Sequence, residues 1–191
     1  VDFTGAITIG SAAASVTIMG NGAENQHINT HIVVASGRSS DLNLTIKNLN
    51  IKALTGKPGI DFGSGGVYDH VLKINGTSKI TGGNNCAGIH VPVGESLTIT
   101  SDSDGSLEAI GGSNGAGIGG GNRGSGGAVT ISGGVVTTTG GSSGAGIGGG
   151  CGGDGGTIII EDGTVTAMGY STSGYGTGIG GGEGGSGGTV E

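Results

Sequence analysis

The sequence predicts an all-β fold in which short strands coil into a parallel β-helix, or β-solenoid. Three observations support this prediction: a repeat of 28–29 residues, short runs in which apolar and polar residues alternate, and 51 glycines among 191 residues. An alternating run turns one side of a strand inward, but a single coil of such strands buries too little apolar surface to be stable alone. Stacked coils share an interior, so we expect about six to seven coils with three short strands each.

Two series of isoleucines mark the repeat. One series lies in the tripeptide AGI or its equivalent, and the other ends strand-like segments such as SVTI, NLTI and AVTI. Residues of one series are expected to lie on top of each other in successive coils. The first series is Ile32, Ile60, Ile89, Ile118, Ile147 and Ile179, and the second is Ile18, Ile46, Ile74, Ile99, Ile131 and Ile160.

The glycine-rich segments GIGGG and GSGG are predicted to form corners between the sheets. At such corners a positive φ, or close contact with the next coil, excludes a Cβ atom. A composition this rich in glycine would indicate disorder if it had no period, but the regular repeat favours a folded solenoid.

Composition excludes several classes of partner. The net charge is −7 and the seven basic residues form no cluster, which argues against binding to nucleic acid or to an anionic membrane surface. The chain holds no apolar stretch of the ~20 residues that membrane insertion requires. Cys86 and Cys151 lie more than two repeats apart and at different points of the repeat, so we expect two free thiols.

Residues 1–191 are predicted to form a single β-helix domain, of which residues 82–191 are the most regular part. The chain begins in a strand-like pattern and stops inside a repeat. We therefore expect it to be a fragment of a longer protein, with flanking domains of the same chain as partners.

The units GAGIGGG…GGAVTISGGVVTTTGG and GAGIGGG…GGTIIIEDGTVTAMG resemble the glycine-rich repeats of bacterial secreted and cell-surface proteins with a right-handed parallel β-helix (pectin-lyase-like) fold. The resemblance is good over residues 82–191 and weaker over residues 1–81, where the spacing persists without AGIGGG. It implies a right-handed coil and an extracellular or bacterial cell-surface location. It does not decide activity, because this fold hosts polysaccharide lyases, hydrolases, carbohydrate-binding modules and adhesin stalks.

Acidic residues and histidines are expected to meet across coils. Asp61 and His90 follow the AGI-type isoleucines of adjacent coils, and Asp41 and Asp69 hold equivalent positions, with His70 after Asp69. Paired acids with histidines can perform general acid–base chemistry. If the chain is an enzyme, its candidate catalytic residues are Asp61, Asp69, His70 and His90; the alternative is a polar ladder that satisfies itself.

The segment Asp102-Ser-Asp104-Gly, with Glu108, resembles a calcium-binding loop, because oxygen ligands alternate around a turn glycine. Calcium is the one cofactor for which the sequence offers a site, and the alternative is an acidic, solvated turn. Glu108 is also expected to follow Lys52 and Lys79 in one outward column and to form a surface ion pair with Lys79.

Three tyrosines are candidate ligand-binding residues. Tyr170 and Tyr175 lie in the one irregular insert of the repeat, and Tyr68 lies beside Asp69 and His70 in a second bend. Such irregular segments of a uniform coil often carry function, and tyrosine rings can stack on sugars. The alternative is that each tyrosine closes a loop.

The leading functional prediction is a non-catalytic carbohydrate-binding module of a bacterial extracellular or cell-surface protein, with a polysaccharide or other glycan as partner. One alternative is a structural spacer or adhesin stalk, which explains the repetition without any site. A second alternative is a polysaccharide lyase or hydrolase of the pectin-lyase-like fold.

Overall fold

The protein is described by a computed structural model over residues 5–20, 27–63, 65–102, 105–170 and 175–191. These residues form an all-β solenoid of about six turns without a helix, which confirms the predicted fold class. No helix in this part of the chain is long and apolar enough to cross a membrane.

The strands are short until two long ones appear near the C-terminal end. In chain order, the first nine are β1 (Ala6–Ile9), β2 (Ser15–Met19), β3 (His31–Val34), β4 (Asn43–Lys47), β5 (Asn50–Lys52), β6 (Ile60–Asp61), β7 (Asp69–Asn75), β8 (Thr77–Thr81) and β9 (Ile89–His90). The others are β10 (Ser96–Ser101), β11 (Ser106–Ile110), β12 (Ile118–Gly119), β13 (Ala128–Thr139), β14 (Ile147–Gly148), β15 (Thr157–Met168), β16 (Ile179–Gly180) and β17 (Thr189–Val190).

The strands form three parallel faces. The first face has the order β1-β3-β6-β9-β12-β14-β16, and the second runs β2-β4-β7-β10 and then through the first halves of β13 and β15 to β17. The third runs β5-β8-β11 and continues through the second halves of β13 and β15. The two long strands turn the corner at Gly134 and Gly163, whose φ values of 90° and 100° favour glycine. Three strand segments per coil were predicted, and this is confirmed.

The interior is built from ladders of aliphatic side chains, one rung per coil. On the first face Ile32, Ile60, Ile89, Ile118 and Ile147 are paired in register and fully buried, as the first isoleucine series predicts. Burying a side chain of this size contributes about 1.5–3 kcal/mol relative to leaving it exposed. Since each rung packs on the next, the stability of one coil depends on its neighbours.

The second isoleucine series is only partly correct. Ile18, Ile46 and Ile74 pair as predicted, but Ile74 then pairs with Ser101 instead of Ile99. Ile99 pairs with Leu72. The connection from His90 to Ser96 is two residues shorter than the equivalent connection from Asp61 to Asp69, which displaces the isoleucine by two positions. The longer turn from Ser101 to Ser106 restores the register on the third face.

The predicted column of Lys52 and Lys79 is also wrong, because paired residues of β5 and β8 are 29 positions apart and these two lysines are 27 apart. Lys79 pairs with Asn50 on one side and Glu108 on the other, while Lys52 pairs with Thr81. The two lysines therefore occupy rungs two residues apart. Both point outward, because a shift of two residues along a strand keeps the same face outward.

In the glycine-rich coils, backbone packs directly on backbone. A Cβ atom built on Gly150 would lie 2.0 Å from the carbonyl oxygen of Gly121, and one on Gly182 would lie 2.1 Å from that of Gly150. Gly119, at the end of β12, combines such a contact with a φ of 129°. The predicted exclusion of side chains at GIGGG is thus confirmed. Cys86 and Cys151 are both free, as predicted.

Candidate functional site

The first group of polar side chains lies on the first face. Asp61 in β6 and His90 in β9 are paired in register, and Asp61 Oδ1 lies 2.7 Å from His90 Nδ1. The backbone N–H of Gly63 also donates to Asp61 Oδ1, at 3.0 Å. Both side chains are 28% exposed, so the pair is accessible from outside. The predicted contact between Asp61 and His90 is confirmed.

The electrostatics of the pair keep the carboxylate ionised. Burial alone would raise the pKa of Asp61, but the hydrogen bond and charge of His90, the N–H of Gly63 and the charge of His31 lower it below its ordinary value. An ionised carboxylate only accepts hydrogen bonds, so a neutral His90 donates its Nδ1–H to Asp61 and carries its lone pair on Nε2. No protein group within the described ranges hydrogen-bonds to that Nε2. The next residue in the column, Gly119, has no side chain that could cover the ring.

Two further titratable groups, His31 and Cys86, lie within electrostatic reach of Asp61. Burial lowers the pKa of His31, as does the charge of Lys57, while Asp61 opposes them. Burial and the charge of Asp61 raise the pKa of the Cys86 thiol, so this cysteine stays protonated at neutral pH. Within the ranges described, no three His, Cys, Asp or Glu side chains are placed to hold a metal ion.

Asp69 and His70 belong to a different face from Asp61 and His90. The backbone N–H of Asp69 donates to Asp41 Oδ1 at 3.0 Å, which confirms the predicted neighbours, and Ser96 Oγ donates to Asp69 Oδ1. His70 is fully buried, and its Nδ1 accepts a hydrogen bond of 3.0 Å from the N–H of Leu42. A fully buried ring does not touch a ligand outside the solenoid. The prediction of acid–base chemistry at the surface therefore rests on Asp61 and His90.

Arg38 anchors a buried network at the corner where the first face leads to the second. Its guanidinium is almost fully buried and donates to the carbonyl oxygens of Gly10 at 3.0 Å, Ser40 at 3.1 Å, Asp41 at 3.3 Å and Ala13. Gly10 and Ala13 belong to the preceding coil, so one side chain ties two coils together. Buried backbone carbonyls need such partners, because an unpaired one costs about 1–3 kcal/mol.

Tyr68 and Glu95 continue this network through the next two coils. The Tyr68 hydroxyl donates to the carbonyl oxygen of Arg38, and its ring centre lies 5.9 Å from that of His70. Glu95 is 3% exposed and accepts hydrogen bonds from the N–H groups of Gly66 at 3.2 Å and Tyr68 at 3.3 Å. Its Oε2 atom lies 3.4 Å from His70 Nε2. Tyr68 is thus engaged with the protein itself. Sequence reasoning missed Glu95; its spacing of 27 from Tyr68, close to one repeat, is the signal that could have found it.

The buried histidine predicts acid sensitivity. Burial lowers the pKa of His70 below its ordinary value of 6.5, and Glu95 opposes that shift without cancelling it. Below pH 6.5, His70 binds a proton in the unfolded chain but not in the native state. The free energy of unfolding therefore falls by up to about 1.4 kcal/mol per pH unit. This contribution is fully present above that pH and is lost as the pH falls toward the lowered native pKa.

Urea unfolding between about pH 8 and about pH 5 tests this expectation. The slope of stability against pH should be shallower in His70→Gln than in the wild type. Some slope should remain, because burial also lowers the pKa of His31. The exposed His27 supplies the control, His27→Gln, which should keep the wild-type slope. Equal slopes in His70→Gln and the wild type would contradict the prediction.

The carboxylates of the predicted calcium loop are paired with lysines. Asp102 Oδ1 lies 2.9 Å from Lys73 Nζ, and Glu108 Oε2 lies 2.8 Å from Lys79 Nζ, which confirms the predicted ion pair of Lys79. Asp104 lies outside the described residues, so calcium binding stays a prediction. These ion pairs are about half exposed and contribute little stability.

A second polar surface, which the sequence reasoning did not identify, lies at the turns that precede the strands of the first face. Ser113 Oγ donates to Asn84 Oδ1, Asn114 Nδ2 donates to Asn85 Oδ1 at 2.7 Å, and the N–H of Ser143 donates to the carbonyl of Ser113 at 3.3 Å. We call this surface the Asn/Ser stripe. It consists of Asn84, Asn85, Ser113, Asn114, Ser142 and Ser143, all exposed or half-buried.

Tyr170 and Tyr175 extend the stripe by one coil. A Cβ on Gly169 would lie 2.0 Å from the carbonyl oxygen of Gly176, so the two ends of the insert meet. Gly176 stacks on Gly144, directly after Ser143, with a corresponding distance of 1.9 Å. Tyr170 and Tyr175 therefore lie at the two ends of the insert, where the chain leaves and rejoins the coil. Tyr170 is 45% exposed and Tyr175 is 74% exposed. The insert between them, residues 171–174, lies outside the described residues.

The chain has no match among known proteins that would assign this surface a role. A scan against protein-family models and searches of curated proteins and of solved structures found no match. A proposal for function therefore depends on the geometry of the Asn/Ser stripe, the two tyrosines and the pair of Asp61 and His90.

Proposed function

We propose that the chain is a carbohydrate-binding module of a bacterial extracellular or cell-surface protein. It binds a polysaccharide along the Asn/Ser stripe, with Tyr170 and Tyr175 at the end of the bound segment. The observation that supports this is the alignment of amide and hydroxyl side chains on three successive coils with two exposed tyrosines on the next. The resemblance of the repeats to those of secreted and surface proteins supports the location.

The chemistry of the stripe suits sugar hydroxyl groups. Asparagine amides and serine hydroxyls can each donate and accept hydrogen bonds. Each rung can therefore bind a sugar hydroxyl that acts as donor or as acceptor. Successive rungs are one strand spacing apart, about 4.8 Å, which favours a polymer over a single sugar. The stripe carries no charged side chain, so an uncharged polysaccharide fits it best.

Aromatic rings provide the apolar part of the proposed site. The flat faces of Tyr170 and Tyr175 can stack on the C–H face of a sugar ring, while their hydroxyl groups remain hydrated. Tyr170 and Tyr175 are two of only five Phe and Tyr residues in the chain, and both are exposed. Aromatic anchors beside polar rungs give both affinity and orientation.

Binding proceeds in this proposal without cleavage of glycosidic bonds. Glycoside hydrolysis uses two carboxyl groups about 5–10 Å apart on either side of the bond. Asp61 is held by His90 on the first face, whereas Asp69 begins a strand of the second face and is bonded to Ser96. The two acids are thus committed to different partners on different faces.

A structural spacer is the second candidate, and the coil-to-coil use of polar groups favours it. The amide of Asn114, for example, donates to Asn85 of the preceding coil rather than standing free. A spacer needs such internal ladders and no ligand. The two candidates differ in one measurable property, the retention of the protein by polysaccharides.

Affinity electrophoresis through a panel of uncharged polysaccharides tests the proposal. We expect retardation of the wild type by at least one of them, and a loss of affinity of about 30-fold or more in the double variant Tyr170→Ala, Tyr175→Ala, because an aromatic anchor contributes about 2 kcal/mol or more. Val67→Ala is the control, since Val67 is 85% exposed at a different corner. Unretarded wild type with every polysaccharide, or full retention by the tyrosine variant, would contradict the proposal and favour the spacer.

A further inference from the structure

We propose that His90, oriented by Asp61, is a general base that activates water to hydrolyse an acyl ester carried by the bound polysaccharide. The identity of the polymer rests on the proposed function, whereas the chemistry of the base does not. The inference concerns a side-chain ester of the glycan and leaves its glycosidic bonds intact.

The geometry of the pair is that of an oriented base. Asp61 Oδ1 accepts a hydrogen bond from His90 Nδ1 at 2.7 Å and a second one from the N–H of Gly63 at 3.0 Å. This arrangement holds the imidazole in the tautomer whose Nε2 carries the lone pair, which is the role of the carboxylate in a serine protease triad. Among the described residues, only Nδ1 of His90 is engaged with a protein group, and the side chain is 28% exposed, so Nε2 faces solvent.

Space for a substrate lies beside the ring. The next two residues in the column of His90 are Gly119 and Gly148, so no side chain stands over it on those coils. Gly63 is close enough that a Cβ atom there would lie 3.5 Å from His90 Cε1 and Nδ1. Glycine at these three positions leaves one side of the imidazole free for water and an acyl group.

The base lies on a coil that also carries the Asn/Ser stripe. Asn85 is the last residue that this coil contributes to the Asn/Ser stripe. His90 follows five residues later, at the end of β9. A substituent of a polymer bound along the stripe can therefore approach His90.

The proposed step is balanced without a redox partner. His90 Nε2 takes a proton from water while the water oxygen forms a bond to the acyl carbon. The bond between that carbon and the sugar oxygen then breaks, and the imidazolium returns its proton to the sugar oxygen. The products are a carboxylic acid and a free sugar hydroxyl.

An ester is the substrate class that one oriented base can serve. Hydrolysis of a glycosidic bond would require a second carboxyl group, as argued above. Attack by the thiol of Cys86 would require a thiolate, but burial and Asp61 keep this thiol protonated. Water activated by His90 needs neither, and general base catalysis of this kind contributes about 10²–10⁴-fold in rate.

Two substrates test the inference: 4-nitrophenyl acetate in solution and a chemically O-acetylated, uncharged polysaccharide. Release of nitrophenol or acetate above background is expected from the wild type. His90→Gln should lower the rate of ester hydrolysis about 100-fold or more. Asp61→Asn should also lower this rate and make it depend more strongly on pH. His27→Gln, a change at an exposed histidine outside the cluster, should keep the wild-type rate.

The readouts separate this inference from the proposed function. Retention by the polysaccharide without ester hydrolysis would overturn the role of His90 and leave binding intact. Hydrolysis of the small ester that depends on His90 and Asp61, without retention, would support the base and overturn the glycan as its substrate. If His90→Gln retained the wild-type rate while circular dichroism showed it to be folded, the inference would be wrong. Should His90→Gln not fold, the rate and pH profile of Asp61→Asn decide in its place.

Discussion

Gly150→Ala is expected to destabilise the protein by about 3 kcal/mol or more, which lowers the melting temperature by about 6–12 °C in a chain of this length. The added methyl group would lie 2.0 Å from the carbonyl oxygen of Gly121 and 2.8 Å from that of Asn114. Relief would require the backbone of one coil to move, yet the N–H of Gly150 is bonded at 3.0 Å to the carbonyl of Gly124. Backbone of this kind yields far less easily than a flexible side chain.

The control for this change is Gly187→Ala, in the same kind of glycine-rich connection. No atom lies within 4 Å of a Cβ placed on Gly187, and its φ is not positive. Its melting temperature should stay within about 2 °C of the wild type, because an exposed substitution without special geometry costs about 0.5 kcal/mol or less. Calorimetry of both variants measures the difference. Equal melting temperatures would mean that the coils do not pack backbone on backbone at Gly150.

Arg38→Met is expected to cost about 3–5 kcal/mol, because it leaves several buried carbonyl oxygens without a donor, at about 1–3 kcal/mol each. The carbonyl oxygens of Gly10, Ser40 and Asp41 would lose a donor, and methionine fills the volume without replacing any hydrogen bond. Since Gly10 lies on the preceding coil, the loss should reach beyond the residue itself. Hydrogen exchange should show the amides of β1 and β2 opening more readily than those of β14 and β16.

Arg123→Met is the matched control for Arg38→Met. Arg123 is exposed, and its guanidinium makes no hydrogen bond or ion pair within the described part of the chain. Urea unfolding should therefore give nearly the wild-type free energy for Arg123→Met and a much lower midpoint for Arg38→Met. A similar, small effect of both substitutions would show that the buried guanidinium is not needed to hold the first coils together.

The contrast between Asp61 and Ile74 shows how far the sequence determines the fold. The repeat length placed Asp61 against His90 correctly, because no residue is added or lost between the equivalent strands β6 and β9. It misplaced Ile74 against Ile99, because the connection from His90 to Ser96 is two residues shorter than its counterpart from Asp61 to Asp69. An alternating strand that slides by two residues keeps the same side inward, so its hydrophobic pattern gives no warning of the shift.

The candidate site was predictable to a smaller degree, since it depends on turns. Asn84 and Ser113 carry no motif, and their contact becomes visible only when the turns of successive coils are stacked. Glu95 likewise acquires its role from N–H groups of Gly66 and Tyr68, whose direction depends on the corner they occupy. Asn84 and Ser113 are 29 residues apart, as are Gly66 and Glu95, so the repeat spacing does bring each pair together. Which side chains face outward and which N–H groups they meet depends on turn geometry, which the spacing does not give.

The stacking of glycine on glycine has a consequence for how such a rod can evolve. Gly121, Gly150 and Gly182 each meet an equivalent residue one coil away, so the junction between coils is the same wherever it occurs. Duplication or loss of a whole repeat preserves every junction, whereas a change of one or two residues is accommodated only at a corner. The length of the solenoid can therefore change during evolution in steps of one whole coil. Each step would add or remove one rung of the surface along which a ligand could bind.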